Sequence, residues 1–387
     1  MPEPIITPAQ SAAEADEALG LAFRVFTESG SIRDYAEFKT ILWREDPHYG
    51  LENLLLARDD TGRLIGLIRI VPRVLYRVDQ KFTVAGISSV CVSPDFRGKG
   101  ISARLMEFAL DYCRARGFDI ALLIARRAAD HYYTRFGFWG ISSYNKATIS
   151  LANLRKDTPA TITLVPVKSE YIGLYSAAYL ACYRETFGYF ERTPQYWSFL
   201  LRKMNYLTGL RWLTIAADGS PVGYVIGSRH VIHEIAWIGE LPTQSVAMAV
   251  STQLQPPAVE RSLTIEIPPQ HHLLATTEGA DFTLAFRECS YGGHMVRILN
   301  TSRARELLAA RITKKLDQLG LQKYAENSNG VGVTCDARGC RVDLPPRDLL
   351  APSYHQTCRL LGASALSLQH WQIDPPQPFN ISLPDQL

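Results

Sequence analysis

Val90-Cys-Val-Ser-Pro-Asp-Phe-Arg97-Gly-Lys-Gly100-Ile-Ser102 carries an apolar strand into a basic glycine loop and from there directly into amphipathic sequence. Arg97, Gly98, Lys99 and Gly100 place positive charge and small residues just before a helix begins. The first-turn N–H groups of a helix have no intrahelical acceptor and its dipoles favour an anion, which side chains at the glycine positions would obstruct. The helix reads from Ile101, Leu105, Phe108, Ala109 and Tyr112 on one face, with Arg104, Glu107, Asp111 and Arg114 on the other and Gly117 as its stop. A buried strand over Ile120–Ile124 follows, so the order is strand, pyrophosphate cradle, helix, strand, the core of an α/β unit.

Glycines at a strand-to-helix turn often do no more than make the bend. This loop lacks Gly-x-x-x-x-Gly-Lys-Ser/Thr and also Gly-x-Gly-x-x-Gly, so neither a kinase nor a dehydrogenase fits. Arg97, Gly100 and Ser102 instead resemble motif A of the GNAT acetyltransferases, Arg/Gln-x-x-Gly-x-Gly/Ala, with Ser102 departing from the family's last small residue. Tyr133-Thr-Arg-Phe-Gly137-Phe138 is similar to the family's Tyr-x-x-x-Gly-Phe and follows the next strand at the family's distance. Alone, Tyr133 would read as a core tyrosine. The resemblance implies acetyl-CoA as co-substrate and no metal. Its pyrophosphate would lie against Arg97, Gly98, Lys99, Gly100, Ile101 and Ser102, and its pantetheine along Val90, Cys91 and Val92.

At 387 residues the chain exceeds one average domain and predicts two or three. A hydrophobic content of 47% with 20% charged residues suits a globular, core-forming protein. The net charge of +3 is spread without a block of one sign, so nucleic acid is not implied. Seven cysteines with no Cys-x-x-Cys argue against a disulfide framework or a zinc ribbon and for a reducing, cytoplasmic setting. Residues 1–19 carry no signal-peptide pattern and no apolar run is long enough to span a membrane, so a soluble protein is expected.

Helices are expected over residues 12–27 and Ile32–Trp43, with a break at Asp46-Pro47. A hairpin pairs Leu54–Arg58 with Leu64–Val71 around Asp59-Asp60-Thr61-Gly62, and Leu75–Val84 and Gly86–Val92 read as further strands. A short helix over Ala128–Phe136 and a last strand over Ser143–Leu151 would complete the unit near residue 155. Leu213-Thr-Ile-Ala-Ala-Asp218-Gly219-Ser-Pro-Val-Gly223-Tyr-Val-Ile226 echoes the first hairpin, each with a strand, an Asp/Gly turn and a strand with a central glycine. No glycine loop follows Trp237 here, so this unit is expected to bind no cofactor. From Gly292 the character is α+β, with a strand His294–Leu299, a cap at Asn300 or Thr301, a helix to Leu319 and short strands about Val331–Val342. The layout resembles the enhanced intracellular survival (Eis) family along the whole chain, supported by Met295–Leu299 and by the Pro-Phe-Asn and Asp-Gln-Leu ending. It implies a GNAT acetyltransferase fold at 1–155, a degenerate GNAT-like domain at 156–288 and a sterol-carrier-like α+β domain at 289–387.

Acetyl transfer needs a neutral amine, and an alkylamine of pKa about 10.4 must lose a proton first. A backbone N–H of Val90–Val92 would stabilise the tetrahedral oxyanion, and Tyr133, a phenol of pKa about 10, would protonate the departing thiolate. For the base, the Eis resemblance implies the terminal carboxylate, here Leu387; the stiff Pro375–Pro384 segment favours a docked tail, while most termini fray, and both readings stay open. His230-x-x-His233 and His271-His272 lack partners at metal-ligand spacing, and His131 reads as structural. Tyr35, Phe38 and Trp43 lie where the family places acceptor-side helices but have packing spacing, and Arg126 and Arg127 are either solvated or near the phosphates. The expected function is acetyl transfer to the amine of a small molecule or peptide by direct attack in a ternary complex. The chain shows no acidic cluster of the kind a polycationic aminoglycoside needs. The alternative is a non-catalytic acyl-CoA or lipid-binding sensor. Homo-oligomerisation stays open.

Overall fold

The computed structural model describes residues 3–28, 43–77, 80–125, 129–140, 142–150, 161–184, 189–206, 210–228, 231–254, 262–267, 271, 282–289, 293–304, 306, 332–336 and 339–343. After β1 (Ile5–Pro8) and α1 (Ala12–Glu28), the hairpin of β2 (Leu54–Arg58) and β3 (Leu64–Arg77) forms as its turn chemistry dictates. The Asp59 carboxylate accepts from the N–H groups of Thr61 and Arg63, and Gly62 takes a left-handed φ of +82°. β3 does not end at Val71. It continues to Arg77 and turns back into β4 (Gln80–Val92), pairing Val71 with Gly86 and Arg77 with Gln80. The strand expected over Leu75–Val84 therefore straddles a hairpin, because its β-branched and aromatic residues favour extended backbone equally on both sides of the reversal.

The cradle helix α2 (Ile101–Ala115) is followed by β5 (Ile120–Ala125), the single turn α3 (Asp130–Thr134), and the strands β6 (Trp139–Gly140) and β7 (Ser142–Ser150). The second half holds β8 (Ile162–Pro166), α4 (Ile172–Tyr183), β9 (Tyr189–Phe190), α5 (Pro194–Tyr206), β10 (Arg211–Ala217), β11 (Ser220–Ser228), β12 (Val231–Trp237), α6 (Thr243–Leu254), β13 (Ser262–Ile267), β14 (Phe282–Cys289) and β15 (Gly293–Ile298). A further two-stranded ladder pairs Gly332–Asp336 with Gly339–Asp343. The helices expected over Ile32–Trp43 and up to Leu319 lie largely outside the described residues.

One sheet runs β1-β2-β3-β4-β5-β15-β6, with β9 paired to β3, and the other runs β8-β10-β11-β12-β13-β7-β14. Both have the same strand directions: antiparallel up to the fourth strand, one parallel pair, β4 with β5 and β12 with β13, then antiparallel again. The sixth position is exchanged. The strand expected to close the first unit, Ser143–Leu151, lies in the second sheet, while the strand expected to open the third unit, His294–Leu299, sits between β5 and β6 of the first. Strand pairing thus crosses both expected boundaries, at 155 and at 288. A strand's own pattern says that one face is buried and leaves open which sheet buries it.

In the first sheet, Ile68, Ile70, Ala85, Ile87, Ala121 and Leu123 pack against Leu105, Met106, Ala109 and Leu110 of α2. Gly66 lets that helix approach, since a Cβ there would stand 2.8 Å from Leu105 Cδ1 and 3.4 Å from Ile101 Cγ2. The opposite face packs Leu54, Leu56, Leu67 and Cys91 on α1.

Candidate active site

The glycine loop is built as its residues require. A short turn, Pro94–Phe96, leads to Gly98 at φ +75° and Gly100 at φ +78°, left-handed values that glycine adopts without strain. Gly100 is the N-cap of α2 and no side chain caps the helix; the Ala103 N–H donates to the Gly100 carbonyl at 3.1 Å, and the N–H groups of Ile101 and Ser102 are the ones a bound anion would meet. A Cβ on Gly98 or Gly100 would meet nothing within 4 Å, which leaves open space where an anion would sit. Lys99 does not point freely into that space. Its Nζ donates to the Asp95 carbonyl at 3.0 Å and lies 4.7 Å from the Phe96 ring centroid, bracing the loop from within. Ile101 is buried under Gly66 and anchors the first turn.

Beside the cradle the sheet opens. β4 and β5 pair only from Val84 to Gly86 against Ile120 to Leu122, after which β4 continues alone on that side to Val92. The register against β3 shifts between Leu67 and Arg69, and Ser89 adopts φ +52°, marking a bulge that re-aims the peptides of Ser88–Val90. Beyond the bulge Cys91 pairs with Leu67, and Ser93 N–H donates to the Ile65 carbonyl at 2.9 Å. Alternation then turns the Cys91 peptide groups to β3 and those of Val92 to the opening. Cys91, expected along the cofactor, belongs instead to the packed α1 side, where burial pushes its thiol up to about 12. Ile124, across the opening on β5, is 36% exposed although it lies within a central strand.

Tyr133 arrives from the far side. Tyr132 and Tyr133 pack on the same core cluster as Val90, Val92 and Ile101. Burial first, then neighbouring Tyr132, raise the Tyr133 phenol to about 12, so it stays protonated at neutral pH. The helix is one turn shorter at its ends than expected, five residues against Ala128–Phe136. His131 is exposed, and its carbonyl accepts from Thr134 Oγ1. Tyr35, Phe38, Arg126, Arg127, His230, His272 and Leu387 lie outside the described residues.

The α1 side of the bulge holds a feature that sequence reading missed. Arg69, paired with Ser88, and Arg73 are buried against Asp46, whose Oδ2 accepts from Arg69 at 3.2 Å and from Arg73 at 2.7 Å. Arg69 lies 5.6 Å from the Trp43 ring and Arg73 4.8 Å from that of Tyr196, on α5. Burial, only partly offset by Asp46, lowers Arg69 to about 10, so both guanidiniums remain charged at neutral pH. The available signal was two arginines four residues apart on one face of an otherwise apolar strand.

The second sheet shows the same divergence, filled by protein. β12 pairs with β13 only at Val231 and Ile232. Beyond that, the Ile235 carbonyl accepts from the Tyr183 hydroxyl at 3.2 Å and bonds His271 Nε2 at 2.8 Å, and the Trp237 carbonyl accepts from Cys182 Sγ. His271 is a fully buried core histidine, and His233 Nε2 bonds Ser228 Oγ at 3.0 Å. Beneath lies Glu234, paired through both oxygens with Arg192 at 2.8 Å and accepting from the Tyr224 hydroxyl. Gly223 echoes Gly66 for a different reason, since a Cβ there would stand 2.1 Å from the Ala236 carbonyl oxygen on the neighbouring strand.

Residues 7–142 match a family model described as an acetyltransferase (GNAT) domain. The chain is 39% identical over 94 residues to an uncharacterised N-acetyltransferase of Methanocaldococcus jannaschii, 22% of this chain and 42% of that one. It thus spans less than half the length of this curated relative. Among solved structures, a GCN5-related N-acetyltransferase from Anabaena variabilis matches with a TM-score of 0.58 at 18% identity, over 97% of this chain and 98% of that one. Eis1 from Mycobacterium abscessus matches with 0.54 at 16% identity, over 97% and 100%. At these identities the likeness to the solved structures is one of fold, and the stretch that matches the acetyltransferase (GNAT) domain model holds the first sheet's glycine loop and Tyr133.

Proposed function

We propose that this protein is an acetyl-CoA-dependent N-acetyltransferase whose chemistry takes place where β4 and β5 separate. The observation that carries the reading is the contrast between two sheets of one strand order. In the second, side chains of Tyr183, His271 and Cys182 occupy the backbone groups of the divergent strand, whereas in the first β4 runs on past its last β5 pair at Gly86 beside a helix N-terminus without a side-chain cap. The open one takes the cofactor, its pyrophosphate on residues 97–102 and its pantetheine amides along Val90 and Val92. The filled one is the degenerate unit and takes none.

When acetyl-CoA is bound, it supplies a thioester whose carbonyl carbon the acceptor nitrogen attacks. A backbone N–H of the bulged Ser88–Val90 segment donates to the developing oxyanion, a contribution of about 10²–10³ in rate at comparable sites. The amine has already given up a proton, through water in this reading. As the C–S bond breaks, Tyr133 gives its phenolic proton to the sulfur, and the proton the nitrogen sheds as the amide forms returns to the phenolate through water. A phenol at about 12 suits this task, because a thiolate released into a buried site is itself a stronger base than in water; burial raises Cys113 to about 12 in the same unit.

The acceptor is a small molecule or peptide amine that is not polycationic. Arg69 and Arg73 outnumber Asp46 on the α1 side of the bulge, a net positive charge that disfavours a polycation beside it. The test is thiol release from acetyl-CoA with a panel of primary amines, N-terminal peptides and amino sugars. Release with at least one acceptor is expected; binding of acetyl-CoA without release for any of them would favour a sensor.

Placement of the cofactor has its own check. Gly100→Val puts a β-branched residue at φ +78°, costing about 1–2 kcal/mol of stability, and fills the space left for the phosphates. The folded variant should bind acetyl-CoA at least ~10-fold more weakly by calorimetry, the worth of one lost hydrogen bond to a charged group. Unchanged affinity would place the site elsewhere.

A further inference from the structure

Met295-Val-Arg-Ile-Leu299 resembled the opening of a separate unit, yet it pairs beside β5, and no role so far uses Arg297. The helix α3 that carries Tyr133 is a single turn, and its N-cap, Ala129, makes no side-chain hydrogen bond. So short a helix does not hold itself. The Tyr133 carbonyl accepts from the N–H groups of Phe136 at 3.0 Å and Phe138 at 3.3 Å. The Phe136 carbonyl in turn accepts from Arg297 Nη1, reaching in from β15, 161 residues later in the chain. Immediately afterwards Trp139 and Gly140 pair with Val296 and Met295.

Arg297 is an expensive way to fill this place. Its guanidinium is half-buried, its Nε is buried without a hydrogen-bond partner among the described residues, and its charged neighbours Asp111 and Arg114 are already joined to each other. An apolar side chain of similar length would pack here without desolvating a charge. What a methionine or leucine could not supply is a donor to the Phe136 carbonyl.

We propose that Arg297 is a positioning residue for Tyr133, fixing through the Phe136 carbonyl the turn from which the phenol reaches the thioester. The inference rests on Tyr133 being the general acid. It makes the exchanged strand part of the catalytic apparatus: the sheet that binds the cofactor borrows β15 from beyond the second unit, and the borrowed strand sets the acid.

The experiment compares Arg297→Met, Arg297→Lys, Tyr133→Phe and the double variant Arg297→Met/Tyr133→Phe, each shown folded by near-UV circular dichroism. Arg297→Met should lower kcat by ~10–10²-fold, the effect of misplacing a reacting group by about 1 Å, with acetyl-CoA affinity and KM unchanged. Arg297→Lys, which keeps one donor, should recover much of it. In the Tyr133→Phe background Arg297→Met should cost nothing more, because the residue acts through a group already absent. Full kcat in Arg297→Met beside an impaired Tyr133→Phe would overturn the positioning role and leave the acid in place. An equal loss in both backgrounds would also overturn it, as a general structural effect. Full activity of Tyr133→Phe itself would remove the acid and this inference together. Should Arg297→Met fail to fold, Arg297→Leu, which also lacks a donor, is read by the same criteria.

Discussion

Tyr133→Phe is expected to bind acetyl-CoA like the parent and to turn over ~10²-fold more slowly or worse, the usual worth of a positioned general acid. The ring keeps its edge contacts with Tyr132, 5.1 Å between centroids, and with Phe138, 6.3 Å, so packing is preserved and only the proton is lost. The loss should lie in kcat, because the phenol acts on a charge that develops only as the thiolate leaves. The pH dependence follows from the raised pKa. A group that must be protonated stays competent below its pKa, so alkaline inactivation by Tyr133 should appear only as pH approaches about 12, and any earlier limb belongs to another group. An unchanged kcat with chemistry rate-limiting would exclude Tyr133 from the mechanism.

The largest effect on stability is expected from Asp46→Asn. Burial opposes the charge of Asp46, but hydrogen bonding to His48 and the charges and hydrogen bonds of Arg73 and Arg69 outweigh it and hold the carboxyl well below the usual carboxylate range. Asparagine keeps the shape and leaves two buried guanidiniums uncompensated, a loss of about 3–5 kcal/mol in urea unfolding at neutral pH. The sign can be checked. A carboxyl with a depressed folded pKa stabilises above its unfolded value, near 3.9, and that stabilisation is lost as pH falls below it. The difference between parent and variant should therefore be flat at neutral pH and shrink in acid. A difference within experimental error at neutral pH would show that water, not Asp46, compensates the two arginines. Because Arg69 pairs with Ser88 at the bulge, a folded variant should also lose turnover.

Much of the candidate site was legible because its requirements are local. A left-handed backbone at a helix N-terminus demands glycine, and Gly98 and Gly100 announce it in the sequence as clearly as in the fold. The apolar face of α2 and the turn at Asp59–Gly62 are legible for the same reason. Tyr133 was legible only through its resemblance to a known motif. The bulge at Ser89 was not legible at all, since a serine at φ +52° has no sequence signature and follows from two strands meeting out of register. His271 was read from the sequence only as lacking metal-ligand partners; it is the buried ring that bonds Ile235 where the second sheet diverges, a role set by a strand 36 residues away.

The sequence by itself determined the glycine loop and the strands and helix around it, because helix periodicity, strand alternation and glycine turns are properties of neighbouring residues. Only the tertiary structure decided that β7 and β15 change places, that Arg69 and Arg73 share Asp46 at the back of the bulge, and that Arg297 reaches the turn of Tyr133. An apolar strand buries its face equally well in either of two sheets of one order, and a buried charge needs a partner of the opposite sign or a donor's acceptor, which no local rule supplies. The strand exchange and the Arg297 contact join segments over a hundred residues apart, and even Asp46 reaches its two arginines across 23 and 27 residues.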